Sequence, residues 1–111
     1  HAARLAVVPL VLEARGLDVT PAMIDRLKGA EDDASAAILQ IIHDDEIGHV
    51  AVGRRWFEHV CPEASQDPVP TYHALVRRHF RGAIKPPFNR ESRDRAGFAA
   101  AYYEPLAAET K

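Results

Sequence analysis

The chain has almost no cysteine, no long apolar run and no surplus of charge. Cys61 is the single cysteine among 111 residues. That excludes an internal disulfide and fits a reducing compartment, so a cytoplasmic location is expected. The longest apolar run, Leu5 to Leu12, is interrupted by Pro9 and falls far short of the ~20 residues that span a bilayer. No basic stretch leads into an apolar segment and a small-residue cleavage site, so no signal peptide is read. Lys and Arg number 14 against 16 Asp and Glu, a formal net charge of −2. This balance gives no electrostatic case for nucleic acid or an anionic membrane as the main partner. No segment reads convincingly as a strand. The first residue is not Met, and no capping residue precedes the first apolar pattern. The expectation is that His1 marks a cut through a longer protein.

What is present is helical periodicity. Hydrophobic residues make up 47% of the chain, enough for a packed core and too many for a disordered chain. A first helix is expected from Ala2 to Arg15, bent at Pro9 and stopped by Gly16. Thr20-Pro21 reads as an N-cap and first-turn proline opening a short helix that ends near Gly29. A long helix should start at Asp33 or Ser35 and run to Cys61, where Pro62 stops it. Pro62 to Pro70 reads as a loop, followed by a helix from Thr71 to Arg81. Pro86-Pro87 makes 82–89 irregular. A last helix is expected over Glu91–Glu104, ended by Pro105. The fold class is therefore all-α.

Placed on a wheel of about 100° per residue, the long helix carries an anomaly. Leu39, Ile42, Val50, Phe57 and Val60 share one arc, with Ile38, Val52 and Trp56 on its flank. Asp44, Arg54, Arg55 and Glu58 lie opposite. Glu46 and His49 fall within the apolar arc, three residues apart and so on one face. Gly53, one turn on, leaves room beside them. Glu13 repeats the anomaly on the first helix, opposite Arg4 and Arg15 and among Ala6, Leu10 and Leu17. A buried ionised carboxylate must be protonated, ion-paired or metal-bound. One inward Glu plus one Glu-x-x-His pair is half the ligand set of a di-iron or di-manganese carboxylate bundle, so Glu13, Glu46 and His49 are the candidate metal ligands. A buried polar network joining the glutamates to an arginine or to His49 is the bland alternative.

Other residues read more plainly. His43 sits at the rim of the arc, more a partly exposed histidine than a ligand. Asp45 borders the arc and could orient His49. Cys61 reads as a small buried residue at a helix end, and Trp56 and Phe57 as core. His1, His59, His73 and His79 show no metal-like pattern, and Arg77, Arg78 and Arg81 form a small solvated basic patch.

The segments LAVVPLVLEARGLDVTP, HDDEIGHVAVGRRWFEHVCP and PPFNRESRDRAGF together resemble the C-terminal half of a family of uncharacterised, mostly bacterial ferritin-like proteins. That family is similar in fold to the ferritin-like tRNA hydroxylases. The resemblance runs from Arg4 to about Tyr103. It implies half of a ferritin-like bundle, with residues 1–61 a metal-site helical hairpin and 71–111 a C-terminal helical extension. In the family pattern the glutamate of LEARGLD and the pair in DEIGH fall on Glu13, Glu46 and His49. The implied function is a di-iron or di-manganese protein, an O2-dependent oxidase or hydroxylase of unspecified substrate. The alternatives are a non-catalytic iron-binding or storage module and a metal-free helical scaffold. A half-bundle exposes an apolar face, so a homodimer or association with the family's N-terminal half is expected.

Overall fold

The computed structural model describes residues 1–61 and 67–109. Among these residues the structure is all-helical. Helix α1 (Ala2–Val7) runs into a π-helical segment (Val8–Glu13) and on into α2 (Ala14–Gly29). A turn with Glu31 in the left-handed region (φ 61) reverses the chain. Asp32 then caps α3 (Asp33–Val60), its carboxylate accepting from the Ser35 N–H at 3.1 Å. The 28 residues of α3 imply a rod of about 42 Å, which sets the long axis of the 49 × 30 × 20 Å envelope. α1, the π segment and α2 pack along it as an antiparallel hairpin. The predicted loop lies partly in 62–66, outside the described residues. Asp67 caps α4 (Pro68–His79), which therefore opens before Thr71. Two short helices follow, α5 (Arg90–Arg95) and α6 (Ala100–Glu109). No helix among the described residues is long and apolar enough to cross a membrane.

Three expected helix breaks do not occur, or occur elsewhere. Gly16 lies inside a continuous helix, and Pro21 sits within α2. A proline frees the carbonyl four residues before it, here that of Leu17. Asn89 Nδ2 donates to that oxygen at 3.0 Å, from 72 residues away. The neighbouring Gly16 carbonyl accepts from the Thr20 hydroxyl at 2.5 Å. Pro105 likewise sits inside α6. The carbonyl it frees, on Ala101, faces His73 Nε2 at 2.9 Å. The break in the C-terminal region falls instead at Gly97, whose φ of 73 separates α5 from α6. A glycine suits that position because its φ is positive and because any Cβ would lie 2.7 Å from Arg54 Nε.

One core joins all the elements: Ala6, Leu10, Ala14 and Leu17 from the first helical run, Val50 and Phe57 from α3, Tyr72 and Val76 from α4, and Phe98, Tyr102 and Tyr103 from the C-terminal segment. Tyr72 is its centre, in edge contact with Phe57, Phe98 and Tyr102. Its hydroxyl donates to the Leu10 carbonyl of the π segment at 2.9 Å, and burial pushes its ionisation well up. Arg54 and Glu58, expected in solvent, are half-covered by the C-terminal helices. Arg54 donates to the Ala96 carbonyl and to Glu58, which also accepts from the Tyr102 hydroxyl at 2.6 Å. Phe57 is fully buried as expected, but Trp56 is 55% exposed. Cys61 is buried at the end of α3.

Gly53 fixes the spacing between the π segment and α3. A Cβ there would lie 2.4 Å from Pro9 Cβ, closer than atoms can pack. Gly48, on the same helix, has open space where a methyl would stand, with nothing within 4 Å. Gly→Ala inside a helix ordinarily gains up to about 1 kcal/mol. Gly48→Ala should show that gain in a thermal melt. Gly53→Ala should instead lose about 1–3 kcal/mol, because overpacking outweighs propensity.

Candidate metal centre

Glu13 closes the π segment. The Ala14 N–H reaches back five residues to the Pro9 carbonyl, so the turn ending at Glu13 holds one more residue than an α-turn. Pro9 stands at the start of this segment, where its missing N–H leaves one backbone bond unmade. The widened turn sets Glu13 beside the middle of α3. There Glu46 and His49 project from adjacent turns. Ligand atoms of Glu13, Glu46 and His49 lie within 4.8 Å of one another. His49 Nδ1 stands 3.4 Å from Glu46 Oε2. Glu46 Oε1 is buried and has no hydrogen-bond partner among the described residues.

The three residues converge, but not in a dry interior. Glu13 and Glu46 are half-buried, and the His49 side chain is 64% exposed. The wheel set Glu13 with Ala6, Leu10 and Leu17; those three are buried, and the π turn carries Glu13 out to the rim. On α3 the wheel merged two faces. One, through His43, Ile47, Val50 and Phe57, is buried against the rest of the chain. The other, Ile38, Ile42, His49, Val52 and Trp56, is exposed. With Asp45 its spacing is 4, 3, 4, 3, 4, the seam of a helix that packs against another helix. The site lies on that open face.

Electrostatics sharpen the case for a proton or a cation. Burial raises the Glu13 pKa above its ordinary 4.5. The adjacent Glu46 carboxyl raises it further, by hydrogen bonding to the protonated form and by repulsion; His49 opposes this weakly. Since the native state holds this proton more tightly than the unfolded state, stability falls as pH rises from about 4.5 through the raised value. Glu13→Gln removes that loss. The metal-free variant should melt like the parent near pH 4 and above it at pH 7 to 8. A difference that grew toward acid would contradict the assignment.

The surrounding residues divide differently from the sequence reading. His43 is 7% exposed, not at a rim, and its Nε2 lies 3.1 Å from the Ser92 hydroxyl. It belongs to the packing of α5 on α3. Asp45 is exposed and makes no hydrogen bond to His49. Sequence reasoning missed Asp18 and Arg93. Asp18, in the same LEARGLD segment as Glu13, accepts from Arg93 Nε at 2.9 Å and from a terminal guanidinium nitrogen at 2.6 Å. The two side chains are 1% and 4% exposed. The Arg93 guanidinium also lies over the rings of Tyr103 and Phe88. Asn89 N–H completes the cluster at 2.8 Å from Asp18 Oδ1, while the Asn89 side chain caps α5. The acid at 18 and the base at 93 bolt the C-terminal segment onto the helix that carries Glu13. Only their charge, with no partner visible at such a separation, could have hinted at it.

A curated relative from Haemophilus influenzae, called an uncharacterized protein, is 38% identical over 95 residues, 86% of this chain. The chain spans about a third (33%) of that relative's length. No solved structure matches. Residues 1–104 match the family described as "Protein of unknown function (DUF455)". On this match over nearly its whole length, the chain belongs to the DUF455 family.

Proposed function

We propose that this chain supplies half the ligands of a di-metal carboxylate centre in a ferritin-like bundle, with Glu13, Glu46 and His49 as the metal-holding residues. The observation that carries the reading is the convergence of two carboxyls and an imidazole, one ligand atom of each within 4.8 Å of the others, with the second Glu46 oxygen, Oε1, buried and without a hydrogen-bond partner among the described residues. The residues fit the group. Bonds of about 2.0–2.2 Å hold two donors on one ion at most some 4.4 Å apart, so a small inward adjustment suffices. Two carboxylates and an imidazole suit iron or manganese better than a soft metal. Such a metal pair supplies oxygen and redox chemistry when bound, the basis for an O2-dependent oxidase or hydroxylase.

The chain's own residues do the holding. The π turn aims Glu13, Gly53 lets that turn sit close to α3, and the contact between Glu46 and His49 steadies the imidazole. The exposed seam would be covered by a second helix pair bringing the remaining ligands. A second copy of this chain would bring two carboxylates and a histidine by two-fold symmetry; a chain as long as the Haemophilus relative has room for them in its other two-thirds. A cytoplasmic setting completes the proposal and keeps Cys61 a thiol. To test it, the complete protein is purified with iron supplied, and metal content and oxygen uptake are measured. About two iron or manganese ions per completed bundle are expected, and a folded protein without metal would end the reading.

The raised Glu13 pKa favours one second reading, a metal-free scaffold in which Glu13 and Glu46 share a proton. In it, metal addition leaves the melting temperature unchanged.

A further inference from the structure

A cavity of about 180 Å³ opens beside the π segment and the start of α2, lined by Leu10, Val11, Arg15 and Asp18 from that run; Glu13, Glu46 and His49 do not line it. Its wall is largely apolar, formed by Leu10, Phe80, Ile84 and Phe88 among others. An apolar cavity of ~150 Å³ takes a benzene-sized guest, so this one accommodates a body of about six carbons. Its charged groups are unbalanced. Arg15, Lys85 and Arg93 line it with a single acid, Asp18. Asp18 takes two hydrogen bonds from Arg93 and stands 3.6 Å from Arg15, so one buried carboxylate is shared by two guanidinium groups and Lys85 has no acid in the lining left to pair with. Arg15 and Lys85 are both exposed and are held together at the entrance, where an Arg15 terminal nitrogen donates to the Lys85 carbonyl at 2.7 Å. One wall donor is unmatched, the buried Tyr103 hydroxyl.

An apolar interior behind a doubly cationic mouth selects an amphiphile with an anionic head. We propose that this cavity binds a small monocarboxylate with a compact apolar body, its carboxylate at Arg15 and Lys85 and its body against Phe80, Ile84 and Phe88. The site is independent of metal, so it can be tested on metal-free protein.

Hexanoate, 1-hexanol and hexylamine separate the contributions of head and tail. Calorimetric titration of the full chain should give saturable hexanoate binding roughly tenfold tighter than 1-hexanol, with hexylamine weakest. Added salt should erode the hexanoate advantage, because the mouth is exposed. Arg15→Gln, at an exposed position and with Asp18 still held by Arg93, should bring hexanoate down to the level of 1-hexanol without moving 1-hexanol itself. Ile84→Trp, which fills the cavity, should abolish both. Equal affinities for the three probes, no binding of any, or hexanoate binding indifferent to Arg15→Gln and Lys85→Gln would each overturn the proposal.

Discussion

Replacing Arg93 with alanine is expected to remove about 3–5 kcal/mol of stability, the typical loss when one partner of a buried ion pair is left alone. In a domain of this size that lowers the melting temperature by roughly 10–20 °C. The expectation follows from burial. Asp18 is 1% exposed and takes two hydrogen bonds from Arg93. Without Arg93 its carboxylate keeps only the Asn89 N–H and a distant Arg15, 3.6 Å away and 44% exposed. The rings of Phe88, Phe98 and Tyr103 also lose the guanidinium plane they surround. Asp18→Leu combined with Arg93→Met should recover most of the loss, since an apolar pair of similar volume can replace a buried ion pair. Thermal denaturation followed by circular dichroism at 222 nm checks both variants. A loss under about 1 kcal/mol for Arg93→Ala would mean that the C-terminal segment is held by packing alone.

The second large effect concerns the metal. Glu46 offers the cluster's one buried, donorless oxygen, so Glu46→Ala should weaken iron or manganese binding beyond the ~10–100-fold that loss of an outer hydrogen-bond partner costs. Asp45→Ala, one residue away and exposed, should leave affinity within about twofold. His49→Ala should fall between them, because its ring is largely exposed and water can take its place on the ion. Titration of metal-free protein with Fe(II) or Mn(II) gives the three affinities. In a proton-sharing scaffold the Glu46 and Asp45 variants would behave alike toward metal.

The all-helical character and the long α3 were legible because hydrophobic periodicity is a local property. The cluster was legible because a carboxylate and an imidazole at i, i+3 in an apolar arc violate that periodicity. What escaped was non-local. Pro21 and Pro105 read as helix boundaries, and each is tolerated because a residue far along the chain, Asn89 or His73, reaches the carbonyl it frees. Glu13 was placed in the core because a wheel of fixed step does not anticipate the π turn at Val8–Glu13. His49 was read as inward because α3 has two apolar faces, and sequence cannot say which one this chain itself covers. Asp18 and Arg93, 75 residues apart, went unread because no local pattern joins them.

Anomalous scattering at the iron edge, from crystals of iron-loaded complete protein, tests the metal assignment most directly. A peak is predicted between the π segment and the middle of α3, within about 2.0–2.3 Å of oxygens from Glu13 and Glu46 and a nitrogen of His49. An empty map, with the two carboxyls instead in direct contact at about 2.5–2.7 Å, would contradict it.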